Sequence, residues 1–186
     1  KDFAYGTAAP WPAAAAGEGY SLVLVHPTAN PDHSVPTNWR SSAVKNGNPG
    51  GEKGTTYAAW KALNGVADDA VDADGDGLPP VLEYALGGLP GMPSVAVLPR
   101  PGTVEASAGM ETAVFATLTF TRSLTADDVD YVVEDSADLT AWETGRAVFV
   151  EEHNLGDGTA TVVWRTADPV TAGERHFLRL RVALRP

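Results

Sequence analysis

The segment Leu178-Arg179-Leu180-Arg181-Val182 has the clearest β-strand pattern in the chain. Successive side chains of a strand point to opposite faces of a sheet. The alternation therefore places leucine and valine on an inner face and arginine on an outer face. One apolar and one charged face are typical of an antiparallel sheet that has solvent on one side. The end of the chain is accordingly predicted to be β structure.

Similar strand-like segments recur at regular spacing from about residue 95 onward. They cover residues 114–120, 130–134, 147–151, 159–165 and 177–184. The sequence Gly156-Asp157-Gly158 is typical of a hairpin turn between two of these segments. Because no helical pattern interrupts them, residues 95–186 are predicted to form an antiparallel β-sandwich.

A second informative stretch precedes this region and matches the calcium-loop pattern D-x-D-x-D-G-x5-E. It runs Asp72-Ala73-Asp74-Gly75-Asp76-Gly77-Leu78-Pro79-Pro80-Val81-Leu82-Glu83. Calcium takes oxygen ligands from fixed positions of such a loop, including one backbone carbonyl and a final bidentate carboxylate. The predicted ligands are the carboxylates of Asp72, Asp74, Asp76 and Glu83 and the carbonyl oxygen of Leu78. Gly77 occupies the position at which the loop turns sharply.

The charge distribution around this loop also favours a bound Ca²⁺ ion. No Lys or Arg occurs between Lys61 and Arg100, whereas six acidic residues do: Asp68, Asp69, Asp72, Asp74, Asp76 and Glu83. Without a cation, carboxylates at close range repel one another. The alternative is a solvated acidic turn, because Asp and Gly are common in loops.

The segments on either side of the loop predict a structural calcium site and not an opening sensor. Residues 64–68 predict a loop where a full EF-hand would have a helix. After the calcium loop, Pro79 and Pro80 suit the start of a short helix that ends at Gly87-Gly88. Another short helix is predicted over residues 57–63, with Trp60 and Leu63 on its apolar face.

The front of the chain is rich in turns and is expected to form a small, partial β segment. Its strand candidates are residues 2–5 and 20–25, and Trp11 and Trp39 are expected to close the edge of a small sandwich. Gly47 to Gly54 is the predicted linker. The fold expected for the whole chain is mainly β, in three parts: a β segment over 1–50, helices and calcium loop over 51–94, and a sandwich over 95–186.

Composition excludes several classes of function. The 186 residues carry a net charge of −11, which argues against binding to nucleic acid or to anionic lipid. No apolar run is long enough to span a bilayer, so no membrane insertion is expected. The absence of cysteine excludes disulfides and thiolate chemistry. A calcium loop with little helical support is expected to bind weakly and to fill where calcium is near millimolar, outside the cell.

Two groups of motifs resemble known bacterial families. The first consists of Tyr5-Gly6, Trp11-Pro12, residues 17–24, Asn38-Trp39-Arg40 and Asn48-Pro49-Gly50. It is similar to the closing third of a lamin-tail domain, which is an immunoglobulin-like β-sandwich. Because such a domain has further strands at its start, the resemblance implies that this chain is a piece of something longer.

The second group joins the calcium loop to Tyr84-Ala85-Leu86-Gly87, Tyr131-Val132-Val133-Glu134, Leu139-Thr140-Ala141-Trp142 and residues 177–182. The loop resembles those of the thrombospondin type-three kind. Together the motifs look like the C-terminal region of secreted lamin-tail proteins from planctomycete- and verrucomicrobium-like bacteria. The resemblance implies an extracellular accessory region without a catalytic residue.

Motifs for catalysis are missing from the sequence, and no enzyme is predicted. There is no nucleophile elbow, zinc-binding motif, phosphate loop or dinucleotide fingerprint. Asp32-His33-Ser34 contains the residue types of a hydrolytic triad, but adjacent residues cannot adopt the triad's geometry. His26, His153 and His176 each stand alone in the sequence.

The expected function is therefore a non-catalytic, extracellular, calcium-stabilised module for structure, adhesion or assembly. If the front strands lack partners, their edges are expected to pair with a strand of another chain and build an oligomer. Packing of these strands on the C-terminal sandwich is the competing expectation. The alternative function is a glycan-binding accessory module of a secreted hydrolase, with Trp11 and Trp39 as sugar platforms, since Trp142 and Trp164 are expected in the core.

Overall fold

The computed structural model describes residues 2–47, 54–171, 173 and 175–185. Within these residues the protein is mainly β, with antiparallel sheets and two short helices. The helices are α1 (Tyr57–Asn64) and α2 (Pro80–Leu86). The strands are β1 (Leu22–Leu24), β2 (Trp39–Ser41), β3 (Arg100–Ala108), β4 (Glu111–Ser123), β5 (Val129–Ser136), β6 (Glu143–Thr144), β7 (Ala147–Asn154), β8 (Thr159–Thr166) and β9 (Phe177–Leu184).

Strands β3 to β9 form two antiparallel sheets. The four-stranded sheet has the order β3-β4-β8-β7, and the three-stranded sheet has the order β6-β5-β9. All five predicted strands of this region are present, and the predicted hairpin turn at 156–158 joins β7 to β8. Strand β3 was not predicted, because Pro101 and Gly102 at its start are both residues that disfavour strands.

One apolar core lies between the two sheets. Leu118, Phe120 and Val162 from the larger sheet are in the same buried cluster as Val133 from the smaller sheet. The rings of Phe120 and Tyr131 stack across the sheets with their centroids 6.2 Å apart. The sheets therefore pack face to face, which gives the strands of both an inner apolar side.

Both helices form where the sequence predicts them, but Leu63, which was predicted on the apolar face of α1, is exposed. Thr56 caps α1, since its side chain accepts a hydrogen bond from the Ala59 N–H. Helix α2 begins at Pro80, where a proline costs no hydrogen bond, and it ends before Gly87 in the left-handed region. Leu86 of α2 is buried in the core between the sheets, so α2 is fixed to the sandwich by apolar packing. No helix among the described residues is both long and apolar enough to cross a membrane.

The N-terminal segment, residues 2–47, packs on the sandwich within the same chain. Buried Arg40 forms an ion pair with Asp127 at 2.8 Å. The side-chain amide of Asn154 donates to Ser41 Oγ at 3.0 Å and to the Ser42 carbonyl at 2.9 Å. These contacts correspond to the second of the two expectations for this segment, packing on the C-terminal sandwich.

The strand predicted over residues 2–5 is wrong, because this stretch has no strand conformation. Its aromatic side chains pack on other rings, and Phe3 stacks on Trp39 with centroids 5.1 Å apart. The strand predicted over residues 20–25 is present as β1, which pairs with β2. Residues 48–53 of the predicted linker lie outside the described residues.

Candidate metal centre

The acidic loop immediately precedes α2. Leu78 at the end of the loop is buried in the same core cluster as Leu86 of α2. The buried side chain of Leu78 therefore anchors the end of the loop to the core. This anchoring places the carboxylates of Asp72, Asp74 and Asp76 near buried Glu83 in the first turn of α2.

Backbone N–H groups organise the carboxylates of the loop. Asp72 accepts from the Gly75 and Gly77 N–H groups, each at 2.8 Å, and Asp76 accepts from the Leu78 N–H at 2.8 Å. Gly75 and Gly77 have φ angles of 76° and 88°, which residues with a Cβ atom rarely adopt. The hydrogen bond from Gly77, above all, lowers the pKa of Asp72. Asp72 is consequently kept ionised.

The structure brings three of the predicted ligands together. Carboxylate oxygens of Asp72, Asp74 and Asp76 all lie within 4.8 Å of one another. This is the spacing expected of groups that share one cation, and carboxylate oxygens are the ligands preferred by calcium. Glu83 does not belong to this group of three, so its place in the site depends on the observations that follow.

Glu83 is buried next to the three aspartates and lacks a full set of partners. Only 3% of the residue is exposed, and its Oε1 has no hydrogen-bond partner in the described part of the chain. Burial is the main cause that raises the pKa of Glu83 to about 7, followed by the charges of Asp74, Asp76 and Asp72. A buried carboxylate among like charges is unfavourable unless a cation compensates it.

Asp74 provides a second buried oxygen without a partner. Its Oδ1 accepts from the Asp76 N–H at 3.2 Å, whereas Oδ2 is buried and accepts no hydrogen bond from any described residue. Two unsatisfied oxygens, one on Asp74 of the triplet and one on Glu83, fit a hard divalent cation with oxygen ligands. The side chains that would hold Ca²⁺ are those of Asp72, Asp74, Asp76 and Glu83, and the Leu78 carbonyl oxygen stays a prediction as the fifth ligand.

Leu78 contributes to the candidate site through its backbone, while its side chain belongs to the core. Its N–H orients Asp76, as described above. Asp76 also accepts a hydrogen bond from the Ser94 N–H at 2.5 Å. Sequence reasoning missed Ser94, because a backbone donor 18 residues away from the loop leaves no signal in the residue pattern.

Asp69 does not take part in the acidic cluster that the sequence predicts. It accepts from Lys61 Nζ at 2.7 Å and from the Tyr57 hydroxyl at 2.9 Å. The hydrogen bond from Lys61 is the main cause that lowers the pKa of Asp69. Lys61 of α1 therefore supplies a cation to Asp69, which is one of the six acidic residues.

Two other sequence motifs have local roles. Asp32 Oδ1 accepts from both the backbone N–H and the hydroxyl of Ser34, at 2.9 and 2.7 Å, as in a polar turn.

Trp142 lies 4.0 Å from the guanidinium of Arg179 and is half-buried. Trp164 lies on β8 and contacts Phe149 edge to face, with centroids 5.7 Å apart. Trp164 packs against the core between the sheets, as predicted. Trp142 packs on Arg179 and belongs to none of the apolar core clusters of the described residues, so its predicted place in the core is wrong.

Comparisons with models of protein families, with curated proteins and with solved structures found no match to this chain.

Proposed function

We propose that residues 72–83 bind Ca²⁺ and that the bound ion stabilises the contact between α2 and the sandwich in a non-catalytic structural module. The observation that carries the proposal is the burial of Glu83. The residue is 3% exposed, and one of its carboxylate oxygens has no partner among the described residues although three aspartates lie nearby. A divalent cation compensates these charges and supplies the missing partner of the buried oxygens.

Packing around the loop supports a structural role over a signalling role. A calcium sensor exposes a groove by moving a pair of helices. Here α2 has only seven residues, and Tyr84, Ala85 and Leu86 are all buried. Helix α1 ends at Asn64, well before the first ligand. Opening of α2 would expose core side chains, so calcium is expected to tighten the existing packing.

Calorimetry of the purified chain tests the proposal. A ligand that binds only the folded state raises the melting temperature by mass action. Millimolar calcium is therefore expected to raise the midpoint relative to chelator, and Asp74→Asn is expected to reduce that rise. Asp68→Asn is the matched control, since this substitution also removes one negative charge, but from a residue outside the loop that accepts from the nearby Ala70 N–H. An unchanged midpoint with calcium, together with no metal found by mass spectrometry, would refute the proposal.

The proposed setting is extracellular. The support is the resemblance to secreted lamin-tail proteins with an immunoglobulin-like sandwich, together with a loop that would fill best at millimolar calcium. Titration calorimetry checks the second argument. A dissociation constant in the micromolar range or below would remove the reason for placing the protein outside the cell.

An assembly role is part of the same proposal. Strand β3 lies at an edge of the four-stranded sheet, and most of its residues are exposed. Such an edge offers backbone donors and acceptors to a strand from another chain. Light scattering with and without calcium tests this role. A monomer under both conditions at micromolar concentration would exclude self-assembly.

A further inference from the structure

An apolar segment without charges follows α2 and lies next to the candidate metal centre. Residues 84–99 contain no charged side chain. Within them, Leu89, Met92 and Val95 are 51%, 63% and 59% exposed, whereas Val97 packs against the core between the sheets. Large apolar side chains that a fold gathers in one exposed turn mark a site of interaction.

Hydrogen bonds fix the shape of this turn. The Met92 N–H donates to the Leu89 carbonyl at 3.2 Å. Between them, Pro90 and Gly91, whose φ angle is 90°, fit the central positions of a type II turn. The Ser94 hydroxyl donates to the Met92 carbonyl at 2.9 Å, and the Leu89 N–H donates to Ser94 Oγ at 3.3 Å. A surface that already has its shape loses little conformational entropy when a partner covers it.

Ser94 also joins the turn to the acidic loop. Its N–H donates to Asp76 at 2.5 Å, and carboxylate oxygens of Asp76, Asp72 and Asp74 lie within 4.8 Å of one another. Val71 directly precedes Asp72 and is 52% exposed. Exposed apolar side chains therefore lie next to the triplet both in the chain before Asp72 and in the turn that Ser94 holds.

A calcium ion in this loop would be open to an oxygen ligand from outside the chain. Calcium takes about six to eight oxygen ligands, and this chain is predicted to supply five groups. The loop residues Ala73, Gly75 and Gly77 are exposed, which leaves the ion accessible from solvent. No Lys or Arg occurs between Lys61 and Arg100, so within this stretch the bound ion supplies the positive charge.

The small size of the surface decides which kind of partner it fits. A standard protein interface takes about 20–30 residues from each partner, and here four apolar side chains surround one ion site. A bilayer needs no complementary shape, because single side chains enter the boundary between headgroups and acyl chains. Lipid phosphates also offer the oxygen ligands that calcium prefers.

We infer, on the basis of the proposed calcium site, that Val71, Leu89, Met92 and Val95 dock on an anionic phospholipid bilayer when calcium is bound. A headgroup phosphate completes the coordination of the ion, and the four side chains enter the bilayer surface. Four partly exposed side chains bind weakly without the ion, and the calcium-free chain, with a net charge of −11, is repelled by anionic lipid. Docking therefore requires calcium.

Co-sedimentation of the purified chain with vesicles tests this inference. Phosphatidylcholine vesicles with one fifth phosphatidylserine are expected to sediment the chain in millimolar calcium and not in chelator. Vesicles of phosphatidylcholine alone are expected to sediment it less well in calcium. Equal sedimentation in chelator, or with phosphatidylcholine alone, would overturn the inference.

Titration calorimetry of the same preparation separates this inference from the proposed function. If calcium binds and the mixed vesicles do not sediment the chain, the inference fails and the proposed calcium site stands. If calcium does not bind, both fail. Calcium-dependent dimers seen by light scattering without vesicles, and abolished by Met92→Gln, would assign the surface to a second copy of the chain and overturn the inference.

Met92→Gln locates the contact with lipid. The hydrogen bonds of Met92 are made by its backbone, so the variant is expected to fold and to bind calcium with unchanged affinity. It is expected to bind mixed vesicles about tenfold more weakly. Val95→Thr, which replaces a methyl group by a hydroxyl group, is expected to weaken vesicle binding as well.

Met110→Gln is the matched control for Met92→Gln. Met110 is fully exposed in the turn between β3 and β4, and its replacement is expected to leave vesicle binding unchanged. Melting temperatures show that the compared variants are folded. Equal vesicle affinities of Met92→Gln and Met110→Gln, or an unchanged affinity of Val95→Thr, would overturn the inference.

Discussion

Ser94 donates its backbone N–H to a carboxylate oxygen of Asp76 at 2.5 Å across 18 residues of sequence. Asp76 also accepts from the Leu78 N–H through its other oxygen. One carboxylate thus joins the acidic loop before α2 to the segment that follows α2. The two ends of the helix are connected through a residue that is also a candidate metal ligand.

Asp76→Ala is therefore expected to affect the protein with and without calcium. In chelator, loss of the hydrogen bonds from Ser94 and Leu78 is expected to lower the free energy of unfolding by about 1–3 kcal/mol. In calcium, most of the stabilisation by the ion is expected to disappear as well. Urea unfolding under both conditions measures the two effects. A full calcium response in Asp76→Ala would show that Asp76 is not a ligand.

Glu83 predicts an unusual pH dependence of the calcium-free protein. Its pKa is raised from 4.5 to about 7 by burial and by the neighbouring carboxylates. Between these values the folded chain binds more protons than the unfolded chain, so the free energy of unfolding falls as pH rises and levels off above about 7. The full shift corresponds to about 3 kcal/mol.

Urea unfolding of calcium-depleted protein at pH 5 and pH 7.5 measures this loss of stability. Calcium is expected to oppose it, because the ion favours the ionised carboxylate. Glu83→Gln is the control, since the amide does not titrate in this range. If Glu83→Gln shows the same decrease between the two pH values, the decrease has another origin.

Gly77→Ala separates backbone strain from ligand binding. A Cβ atom at Gly77 would meet no atom within 4 Å, but the φ angle of 88° is unfavourable for alanine. We expect a loss of about 1–2 kcal/mol in chelator and a weaker calcium affinity. Gly109→Ala is matched, because Gly109 also has open space and a φ angle of 69°. It is expected to cost similar stability without any change in calcium affinity. Equal calcium affinities for both variants would contradict the assignment of this loop.

Arg40 is expected to be the main electrostatic attachment of the N-terminal segment. Its side chain is 3% exposed and pairs with Asp127. Removal of one member of a buried pair leaves an uncompensated charge, so Arg40→Ala is expected to cost about 3–5 kcal/mol. Arg146→Ala is the control, since Arg146 pairs with Glu143 and Asp168 but is half-exposed, and it is expected to cost less than about 1 kcal/mol. Thermal unfolding of both variants compares them, and equal losses would contradict this role of Arg40.

Local sequence patterns were sufficient to predict the strands that bury one face. In β9 the alternation of leucine with arginine matches its pairing with β5. Strand β3 could not be predicted, because its pairing with the long strand β4 compensates for the low strand propensity of Pro101 and Gly102. Such compensation depends on a partner strand and is not visible in the segment itself.

The candidate site shows the same division between local and distant information. Asp72, Asp74 and Asp76 lie close together because the spacing of the loop fixes them, and this could be predicted. The pairing of Asp69 with Lys61 depends on how α1 ends, and the packing of residues 2–47 depends on the side chains of Asp127 and Asn154. These contacts join residues far apart in sequence, so no local pattern contains them.

The attachment of residues 2–47 also has a dynamic consequence. Polar contacts of Arg40, Ser41 and Ser42 hold the segment to the sandwich, and among the described residues Ala43 is its one member of a buried apolar cluster shared with the sandwich. A unit with few buried apolar contacts opens at a lower free energy than the sheets behind it. Amide hydrogen exchange is therefore expected to be faster in β1 and β2 than in β4 and β8. Such partial opening would let solvent reach the buried side chains of Ser41, Ser42 and Asn154 without unfolding the sheets.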